Sequence, residues 1–582
     1  MSRGVGALAA LAACIAAPFL LPIFWVTLFG YVGLAAMVAL GLVLLTGISG
    51  QTSFGQASFV GLAAYATALL SKSGHSPFLG LLAGLALTAA VAWLLGLITA
   101  RLSGHFLALI SVAWGISFFS LFGTLPFLHG FNGIGDIPPL PFGADRRVNL
   151  AVIWVLLVGL VVVSANLLDS RAGRAIRTLN GARMMGESAG IDTIGLSRAV
   201  FVIAALYAGL AGWLFAHFQR FINPTPFSLD ASIDYLFMVI IGGADRLGGA
   251  VLGAALVTVL RDQFNDWIPR LTGRAGDFEL LVFSVVVILL LQRAPAGLWP
   301  MLARFVPRSA PRRRPVLAAA AMAPAPTERA HGELLRVDSV TRMFGGLAAN
   351  QDISFSVHAA EIVALIGPNG AGKTTLFNVI SGILAPSAGR IRLFGRDDAL
   401  IGPSRIAAAG LARTFQHTKL LGGRSVLENI AIGAHLSGHA GIVRAMLHLE
   451  RAEESRLIGE AMRQAARVGL DDVLDTPAGD LPLGRQRVVE IARALCLRPR
   501  LLLLDEPAAG LRLAEKEQLA TLLRQLRDDG MGVLLVEHDM EFVMRLADRV
   551  VVMDFGQKIA DGPPERVQSD PVVLEAYLGG VA

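Results

Sequence analysis

The chain has 582 residues, of which 54% are hydrophobic and only 16% are charged. Soluble proteins carry about 25% charged residues, so this composition indicates a membrane protein and excludes a secreted enzyme, a disulfide scaffold and a disordered chain. The charge is also uneven, because residues 1–300 hold 28 charged side chains and residues 301–582 hold 66. The sequence therefore predicts a membrane half followed by a soluble half.

The formal net charge of +6 does not indicate nucleic-acid binding. The first half contributes +4 of this charge, mostly as arginines in short loops between apolar segments. Basic loops beside membrane spans set the orientation of a protein in the bilayer, so we expect no nucleic-acid partner. Cys14 and Cys496 lie in different halves. We therefore expect no structural disulfide, which suits a cytosolic second half.

The N-terminus allows two interpretations. Residues Leu11–Cys14 resemble a lipoprotein cleavage box, but the chain stays apolar through Trp25. A cleaved signal normally gives way to polar sequence. We predict a membrane helix over residues 5–27, with lipidation of Cys14 as the less favoured alternative.

The first half is almost free of charge. From Gly4 to Gly135, the only Asp, Glu, Lys or Arg residues are Lys72 and Arg101. A chain in hydrocarbon must satisfy its backbone hydrogen bonds internally, so these apolar runs predict helices. Several runs are shorter than the roughly 20 residues needed to cross a bilayer, and we expect broken or tilted helices among them. The ten predicted spans lie near residues 5–27, 31–48, 54–70, 78–100, 105–127, 150–168, 199–217, 233–243, 250–262 and 279–292.

Arginines predict the orientation of these spans. The loop 169–198 carries five arginines, and residues 293–314, after the last span, carry six. Both sites are expected in the cytoplasm. Only an even number of segments between them places both on one side. We therefore predict that Gly242-Gly243 and Gly248-Gly249 bracket a break between two short helices.

Polar side chains within the spans leave alternatives open. Gln51, Ser53, Gln56 and Ser58 lie in or beside apolar runs, where unsatisfied polar groups are costly. They either bond to a neighbouring helix, which is the commoner use, or line a water-filled path. Asp230 and Asp234 are interpreted as charges at a helix N-terminus, with ligand binding as the alternative.

The loop 169–198 is long enough to fold into two short helices. Here the sequence resembles the cytoplasmic coupling loop of the branched-chain amino acid family of ABC permeases, and the motifs at residues 50–59 and 242–249 extend the resemblance over about residues 30–295. The resemblance implies that residues 170–191 dock on an ATPase, with Glu187 and Gly190 among the residues that matter. The alternative is an amphipathic helix lying on lipid headgroups.

Residues 304–332 separate the two halves. They contain five prolines among alanines and arginines and show no periodic apolar pattern. This composition is typical of a partly extended, semi-stiff linker whose arginines can touch anionic lipid. The predicted domains are a permease over residues 1–303 and a nucleotide-binding domain over residues 333–582.

A phosphate-binding loop follows a buried strand in the soluble half. The strand pattern Glu361–Ile366 runs into Gly367–Thr375, which has the spacing G-x-x-x-x-G-K-[ST], and then into an apolar helix. Its glycines let successive backbone N–H groups point at one phosphate. Lys373 reaches the β- and γ-phosphates, and Thr374 offers its hydroxyl to Mg²⁺.

Two further strands end in polar residues. Leu501–Leu504 is followed by Asp505, placed to hold Mg²⁺ through water, and by Glu506, placed to polarise the attacking water. Phosphoryl transfer needs both roles at the end of a strand beside the phosphate loop. His538 follows the strand Val533–Glu537, where a contact with the γ-phosphate is required.

This order of motifs resembles the ABC-transporter ATPase family over about residues 333–582. The resemblance implies that Phe344 stacks on adenine and that Gln416 couples the nucleotide to the permease. The predicted nucleotide-binding residues are Phe344, Gly367, Pro368, Asn369, Gly370, Ala371, Gly372, Lys373, Thr374 and Thr375. The predicted Mg²⁺ ligands are Thr374, Gln416 and Asp505. The predicted catalytic residues are Glu506, His538, Lys373 and Gln416. Residues 505–511 and 575–579 resemble the LivG-type branch.

The signature loop departs from the general family pattern. Pro482 and Leu483 stand where that pattern has a serine and a glycine, and Arg512 replaces a carboxylate in the loop after Glu506. Proline has neither a hydroxyl nor an N–H, so the loop offers fewer donors to a phosphate. We therefore expect the two ATP sites of an assembled dimer to be unequal.

These features predict a polytopic α-helical membrane domain of about ten helices followed by an α/β P-loop ABC ATPase domain. The combination resembles a LivM-type permease fused to a LivG-type ATPase, which implies ATP-driven import of branched-chain or related amino acids with ATP and Mg²⁺. It also implies a second permease, a second ATPase, an extracytoplasmic binding protein, and a multi-pass location in the cytoplasmic membrane with the ATPase in the cytoplasm. The alternatives are half of an ABC exporter and a membrane-anchored regulatory ATPase.

Overall fold

The computed structural model describes residues 12, 15–99, 105–141, 145–272, 278–303, 332–396 and 402–578. The chain divides into two compact units. The first contains residues 1–181, 194–312 and 442–448, and the second contains residues 182–193, 313–441 and 449–582. Cys14 and the predicted linker, apart from its last residue, lie outside the described residues.

The first unit is helical. Its apolar segments form helices because each must satisfy its own backbone hydrogen bonds. The helices of the described residues up to 303 are α1 (Ile23–Leu42, continued by a π-helical turn, Val43–Ile48), α2 (Gln56–Lys72), α3 (Pro77–Thr99), α4 (His105–Thr124), α5 (Arg146–Leu168), α6 (Arg171–Thr178), α7 (Arg183–Ser188), α8 (Thr193–Gln219), α9 (Leu229–Gly242), α10 (Leu247–Thr272), α11 (Phe278–Arg293) and α12 (Trp299–Leu302). Of these, α7 belongs to the second unit.

Nine of the ten predicted spans correspond to helices of the described residues, and part of the first, near residues 5–27, lies outside them. In the described part of the chain, six helices are long and apolar enough to cross a membrane: Ile23–Ile48, Pro77–Thr99, Phe106–Thr124, Arg146–Leu168, Thr193–Gln219 and Leu247–Trp267. Three other predicted spans correspond to helices of 17, 14 and 16 residues, namely α2, α9 and α11. The chain is a membrane protein with long and short helices in one apolar unit.

The first two predicted spans are divided at a different residue. We placed the division between residues 27 and 31, but α1 is continuous from Ile23 because the interruption lies at Pro22. Gly30 lies inside α1 and permits close packing. A Cβ added to it would lie 2.3 Å from the ring of Phe218.

The predicted break near residues 242–249 is confirmed. Helix α9 ends at Gly242, Gly243 adopts a φ of +118°, and α10 begins at Leu247. The second of these helices has 26 residues and is not short. Small residues let the two helices pack closely, since a Cβ on Gly253 would lie 1.7 Å from the carbonyl oxygen of Met238.

The two aspartates of α9 have different surroundings. Asp230 lies exposed in the first turn, where a negative charge favours the helix dipole, as expected. Asp234 instead forms an ion pair of 2.6 Å with Arg261 on α10. This pair shields two charges from the apolar surroundings of the unit.

The second unit contains two sheets. An antiparallel sheet in the order β2-β1-β4 is formed by β1 (Glu333–Phe344), β2 (Leu347–His358) and β4 (Ala388–Leu393). The other sheet has the order β5-β6-β7-β3-β8-β9, with strands β3 (Ile362–Ile366), β5 (Leu411–Arg413), β6 (Leu501–Asp505), β7 (Gly532–Val536), β8 (Arg549–Asp554) and β9 (Gln557–Gly562).

The second sheet determines where its loops meet. Strands β3, β5, β6, β7 and β8 are parallel, and only β9 runs antiparallel. All residues of β3, β6 and β7 are buried, as expected for strands covered on both faces. The carboxyl ends of β6, β7 and β3 lie at one edge, which is where ligands bind in open α/β sheets.

Helices cover this sheet. Those of the described residues from 332 onwards are α13 (Lys373–Ile380), α14 (Pro403–Ala409), α15 (Val426–Ile432), α16 (Ile442–Met446), α17 (Arg451–Arg467), α18 (Leu483–Cys496), α19 (Leu513–Asp528), α20 (Met540–Leu546), α21 (Pro564–Gln568) and α22 (Pro571–Leu578). Of these, α16 belongs to the first unit.

The close packing of α9 and α10 can be tested with two valine substitutions. We expect Gly253→Val to lower the Tm of the detergent-solubilised protein strongly, because overpacking costs about 1–3 kcal/mol and the neighbour here is backbone that cannot rotate away. Gly159→Val on α5 is the control, since no described atom lies within 4 Å of an added Cβ there. Equal Tm values for the two variants would contradict this packing.

Candidate functional site

The loop between β3 and α13 has a backbone that only glycine can form. Gly370 and Gly372 adopt φ values of +87° and +91°. A Cβ on Gly372 would lie 2.1 Å from the carbonyl oxygen of Ala349. The loop leads directly into Lys373, the first residue of α13. Backbone N–H groups at such a loop and helix N-terminus form an anion-binding site.

Lys373 is folded back over this loop. Its Nζ donates to the carbonyl oxygens of Gly367 at 2.7 Å and Pro368 at 2.8 Å. Burial lowers the pKa of the Lys373 ammonium, while the carboxylates of Glu506 and Asp505 oppose that shift. The cation is therefore held beside the loop at a position where a phosphate can replace the carbonyl partners.

A cleft of about 480 Å³ brings most of the predicted residues together. Gly367, Pro368 and Asp505 are not part of its lining. The predicted residues that line it are Phe344, Asn369, Gly370, Ala371, Gly372, Lys373, Thr374, Thr375, Gln416, Glu506 and His538.

Glu506 is the meeting point of three motifs that are far apart in sequence. Gln416 donates from Nε2 to Glu506 Oε1 at 3.0 Å. His538 Nε2 lies 2.9 Å from the same oxygen and donates to it when Nε2 carries the proton. Glu506 has a φ of +49°, an uncommon conformation for a residue with a side chain, and such strain persists where the surroundings enforce it.

Asp505 is buried behind Glu506. Its Oδ2 pairs with Arg413 at 3.4 Å, and its Oδ1 has no hydrogen-bond partner among the described residues. Burial raises the pKa of the Asp505 carboxyl, and the charge of Arg413 opposes that rise. The free oxygen is a site where a cation or its bound water can be accepted.

The positioning role of Arg413 was not predicted from the sequence. At the end of β5, its guanidinium donates to Asn378 Oδ1 at 2.8 Å and to Ser381 Oγ at 2.6 Å. Arg413 therefore ties the helix after the phosphate loop to Asp505. The only sequence signal was its place three residues before Gln416.

A second aromatic residue at the open end of the cleft was also missed. Phe344 is 45% exposed, and the Arg342 guanidinium lies 4.8 Å from its ring centroid. Phe555, in the turn between β8 and β9, is 88% exposed and lines the same cleft. An aromatic side chain this exposed can stack on a planar ligand. The available signal was a phenylalanine beside Gly556 in a predicted turn.

Glu537 holds two loops of the site together. The buried carboxylate accepts the backbone N–H groups of Ala508 and His538. Burial raises the pKa of Glu537, and these hydrogen bonds oppose the rise. The loop after Glu506 and the loop carrying His538 are thus linked by one side chain.

The signature loop lies outside the cleft lining. Pro482 precedes α18, and Leu483, the first residue of that helix, is 52% exposed. Arg485 pairs with Asp472 at 2.7 Å. The exposed part of the loop is therefore an apolar side chain rather than a hydroxyl.

The segment 182–193 packs within the second unit. Met185, Ser188 and Ala189 line a small pocket together with Arg413 and Phe415. These contacts place the segment beside the residue that precedes Gln416.

Gly190 makes a close contact in this segment, and Glu187 accepts hydrogen bonds from other residues of the same segment. Gly190 has a φ of +82°, and a Cβ on it would lie 2.5 Å from the side chain of Leu436. Glu187 accepts hydrogen bonds from Thr193 at 2.6 Å and Arg183 at 3.2 Å. The Glu187 carboxylate therefore stabilises the segment 182–193 internally, because both of these hydrogen-bond donors belong to that segment.

Known families match both halves of the chain. Residues 23–291 match the permease component of the branched-chain amino acid transport system, and residues 350–509 match the ABC transporter family. Residues 557–582 match the branched-chain amino acid ATP-binding cassette transporter family.

Two similar proteins cover the ATPase half. The high-affinity branched-chain amino acid transport ATP-binding protein LivG of Escherichia coli K12 is 40% identical over 251 residues, which are 42% of this chain and 98% of LivG. The chain belongs to the branched-chain amino acid ABC transporter family. BraF of Pseudomonas aeruginosa, which carries the same description, is 39% identical over 251 residues, with the same shares of each chain.

A crystal structure of a nucleotide-free ATP-binding cassette from an ABC transporter also resembles this transporter subunit. It is 32% identical and covers 42% of this chain and 98% of its own, with a TM-score of 0.38. The family matches and the similarity to LivG show that the transporter subunit joins a permease to a transport ATPase that binds ATP.

The contact of Gly190 predicts the effect of a bulky residue in the segment 182–193. We expect Gly190→Leu to abolish transport by the assembled complex, because the new side chain would overlap Leu436. Gly181→Leu is the matched control, since Gly181 also has a positive φ of +78° but no described atom lies within 4 Å of an added Cβ. Uptake of labelled substrate should fall only for the first variant, and an equal loss in both would mean that backbone strain is the cause.

The convergence on Glu506 predicts the effect of removing its charge. We expect Glu506→Gln to bind ATP normally and to lose about 10²–10⁴-fold in hydrolysis rate, the usual contribution of a positioned base. Lys373→Ala should instead weaken ATP binding. Titration with a fluorescent ATP analogue and a phosphate-release assay on the complex separate the two effects, and near-normal turnover in Glu506→Gln would contradict the assignment.

Proposed function

We propose that this chain is half of an importer that moves branched-chain or related amino acids across the cytoplasmic membrane at the expense of ATP. One observation carries this proposal: a single chain joins a match to a branched-chain amino acid permease to an ATPase that ends in a branched-chain-specific segment. The match to LivG supports the same substrate class.

In the proposed site, ATP occupies the whole length of the cleft. Adenine stacks at the open end on Phe344 and Phe555, which are exposed there. The phosphates lie over Asn369–Thr375, where backbone N–H groups and the ammonium of Lys373 neutralise them.

The residues present fit a Mg²⁺ ion bound together with the nucleotide. Asp505 offers the unpartnered Oδ1, and Thr374 lines the cleft at the start of α13. Mg²⁺ takes few protein ligands and several waters or phosphate oxygens, so two protein oxygens are enough for it. When bound, Mg²⁺ supplies positive charge to the phosphate oxygens. Gln416, which we also predicted as a ligand, is engaged with Glu506.

Hydrolysis in this proposal depends on one carboxylate oxygen. Glu506 Oε1 accepts hydrogen bonds from Gln416 and His538, so both side chains orient it. A water bound to Glu506 would be directed at the γ-phosphate, and His538 would contact that phosphate. Gln416 would sense the nucleotide, since Phe415 beside it contacts the pocket of the segment 182–193.

Members of an ABC importer family work with further subunits. We propose a second permease, a second ATPase and an extracytoplasmic binding protein for this chain. The ATPase partner would place its signature loop over this chain's Lys373 and Glu506. The proposed domains remain the permease at residues 1–303, the linker at 304–332 and the cytoplasmic ATPase at 333–582, with segments 182–193 and 442–448 exchanged between the compact units.

Reconstitution tests this function directly. The complex of this chain with its partner subunits is placed in proteoliposomes with ATP inside and the binding protein outside. We expect labelled leucine to accumulate inside only with ATP, and Glu506→Gln to abolish accumulation. ATP-driven movement out of the compartment that holds the ATPase would indicate an exporter. ATP hydrolysis without movement of any branched-chain amino acid would indicate a regulatory ATPase.

A further inference from the structure

The first unit contains a stretch of irregular backbone between two apolar helices. The π-helical turn ends at Ile48 and α2 begins at Gln56, so residues 49–55 are not helical. The segment starts beside the first turns of α8, because Gln51 Nε2 donates to the Ser197 carbonyl oxygen at 3.3 Å. It leads into α2, which packs against α8 farther along, since a Cβ on Gly212 would lie 2.1 Å from the carbonyl oxygen of Val60. Among apolar spans, irregular backbone is tolerated only inside protein or along a polar path.

Side-chain hydroxyls satisfy part of this backbone. Ser111 on α4 accepts from the Phe54 N–H at 2.9 Å, and Ser232 on α9 accepts from the Ala57 N–H at 3.1 Å. Both serines are buried. The start of α2 is therefore held between two other helices by hydrogen bonds rather than by apolar packing alone.

Three buried polar atoms at this point have no partner. Among the described residues, Gln56 Oε1, Ser58 Oγ and Trp114 Nε1 form no hydrogen bond, although their residues are 0%, 1% and 6% exposed. The indole N–H of Trp114 points at the helix start, since it lies 1.8 Å from the position of a Cβ on Gly55. Buried polar groups that hold helices together are normally hydrogen-bonded to each other. Helix packing therefore does not explain these three unpaired atoms.

An aromatic wall adjoins the polar atoms. The rings of Trp114 and Phe201 lie 5.6 Å apart, and those of Phe59 and Phe201 lie 5.7 Å apart. One residue, Trp114, thus belongs to both the polar group and the aromatic group. A ligand that fits has a polar head and an apolar side chain.

The polar group carries no formal charge. The N-terminus of α2, the Trp114 N–H and the Ser58 hydroxyl offer donors and positive potential, which suit a carboxylate. Gln56 Oε1 is an acceptor, which suits an ammonium group. The neighbouring Asp234 is engaged with Arg261, so its charge is already balanced. A neutral site with separated donors and acceptor matches a zwitterion.

We propose that Gln56, Ser58 and Trp114, with the start of α2, bind the carboxylate and ammonium groups of an α-amino acid, and that Phe59 and Phe201 contact its apolar side chain. This site lies on the path through the permease and rests on the proposed function. The sequence left two uses open for the polar residues at 51–58, which were bonding to a neighbouring helix and lining a water-filled path. We assign Gln56 and Ser58 to the path.

The test compares uptake with ATP hydrolysis in the complete complex. We expect Ser58→Ala and Trp114→Phe to lower leucine uptake at least tenfold while hydrolysis stimulated by the loaded binding protein stays within about twofold. Ser71→Ala is the matched control, because Ser71 lies at the far end of α2, is 2% exposed and also has an unpartnered Oγ in the described structure. It should leave both rates unchanged.

A chemical readout keeps the site testable if a variant assembles poorly. In Ser58→Cys, we expect leucine and ATP to slow alkylation of the new thiol by a small maleimide at least fivefold during turnover, with no such protection in Ser71→Cys. Uptake that survives in both Ser58→Ala and Trp114→Phe, or a parallel fall of uptake and hydrolysis with no protection of the thiol, would overturn the site. Failure of the unmodified complex to transport any branched-chain amino acid would instead overturn the proposed function.

Discussion

Close approach of backbone to backbone is the constraint on which both units depend. In the first unit, carbonyl groups of Val60 and Met238 lie against glycines of neighbouring helices, and in the second unit the carbonyl of Ala349 lies against the phosphate loop. Lipid is as apolar as a leucine side chain, so helices in a bilayer gain little from the hydrophobic effect and depend on such tight contacts. In the ATPase, the same kind of contact fixes the direction of the N–H groups that meet phosphate.

The chemistry of the ATPase depends on side chains that hold other side chains. Arg413 links α13 to Asp505, and Glu537 links the loop after Glu506 to the loop of His538. Because these links are buried, they position the site before nucleotide arrives, and preorganised dipoles need little rearrangement at the moment of reaction. The pocket shared by Arg413, Phe415 and Met185 brings the segment 182–193 next to the same network. In the proposed ATP site, a change at the γ-phosphate would have a short physical route to that segment.

The phosphate loop and its carboxylates were predictable because their chemistry requires particular residues at particular spacings. A loop that must turn tightly against phosphate needs Gly370 and Gly372, and the strand order then brings Asp505 and His538 to the same edge. The residue at which the first two spans divide was not predictable from hydropathy. A glycine such as Gly30 can end a helix or can leave room for a neighbouring ring. The sequence does not distinguish these uses, because the ring of Phe218 is brought to Gly30 only by the fold. The roles of Arg413 and Phe555 were missed for a related reason, since each depends on partners far away in sequence.

The exchange of segments between the two compact units has a consequence for synthesis of the chain. Residues 442–448 belong to the first unit, although the ribosome makes them about 130 residues after the rest of that unit ends at residue 312. Residues 182–193 emerge early but belong to a unit whose other residues come later. Domains generally fold as units, with the N-terminal one first, as they leave the ribosome. Here the first unit is incomplete until residue 448 has been made, so the permease must stay in the membrane with one segment missing while the first part of the ATPase is translated.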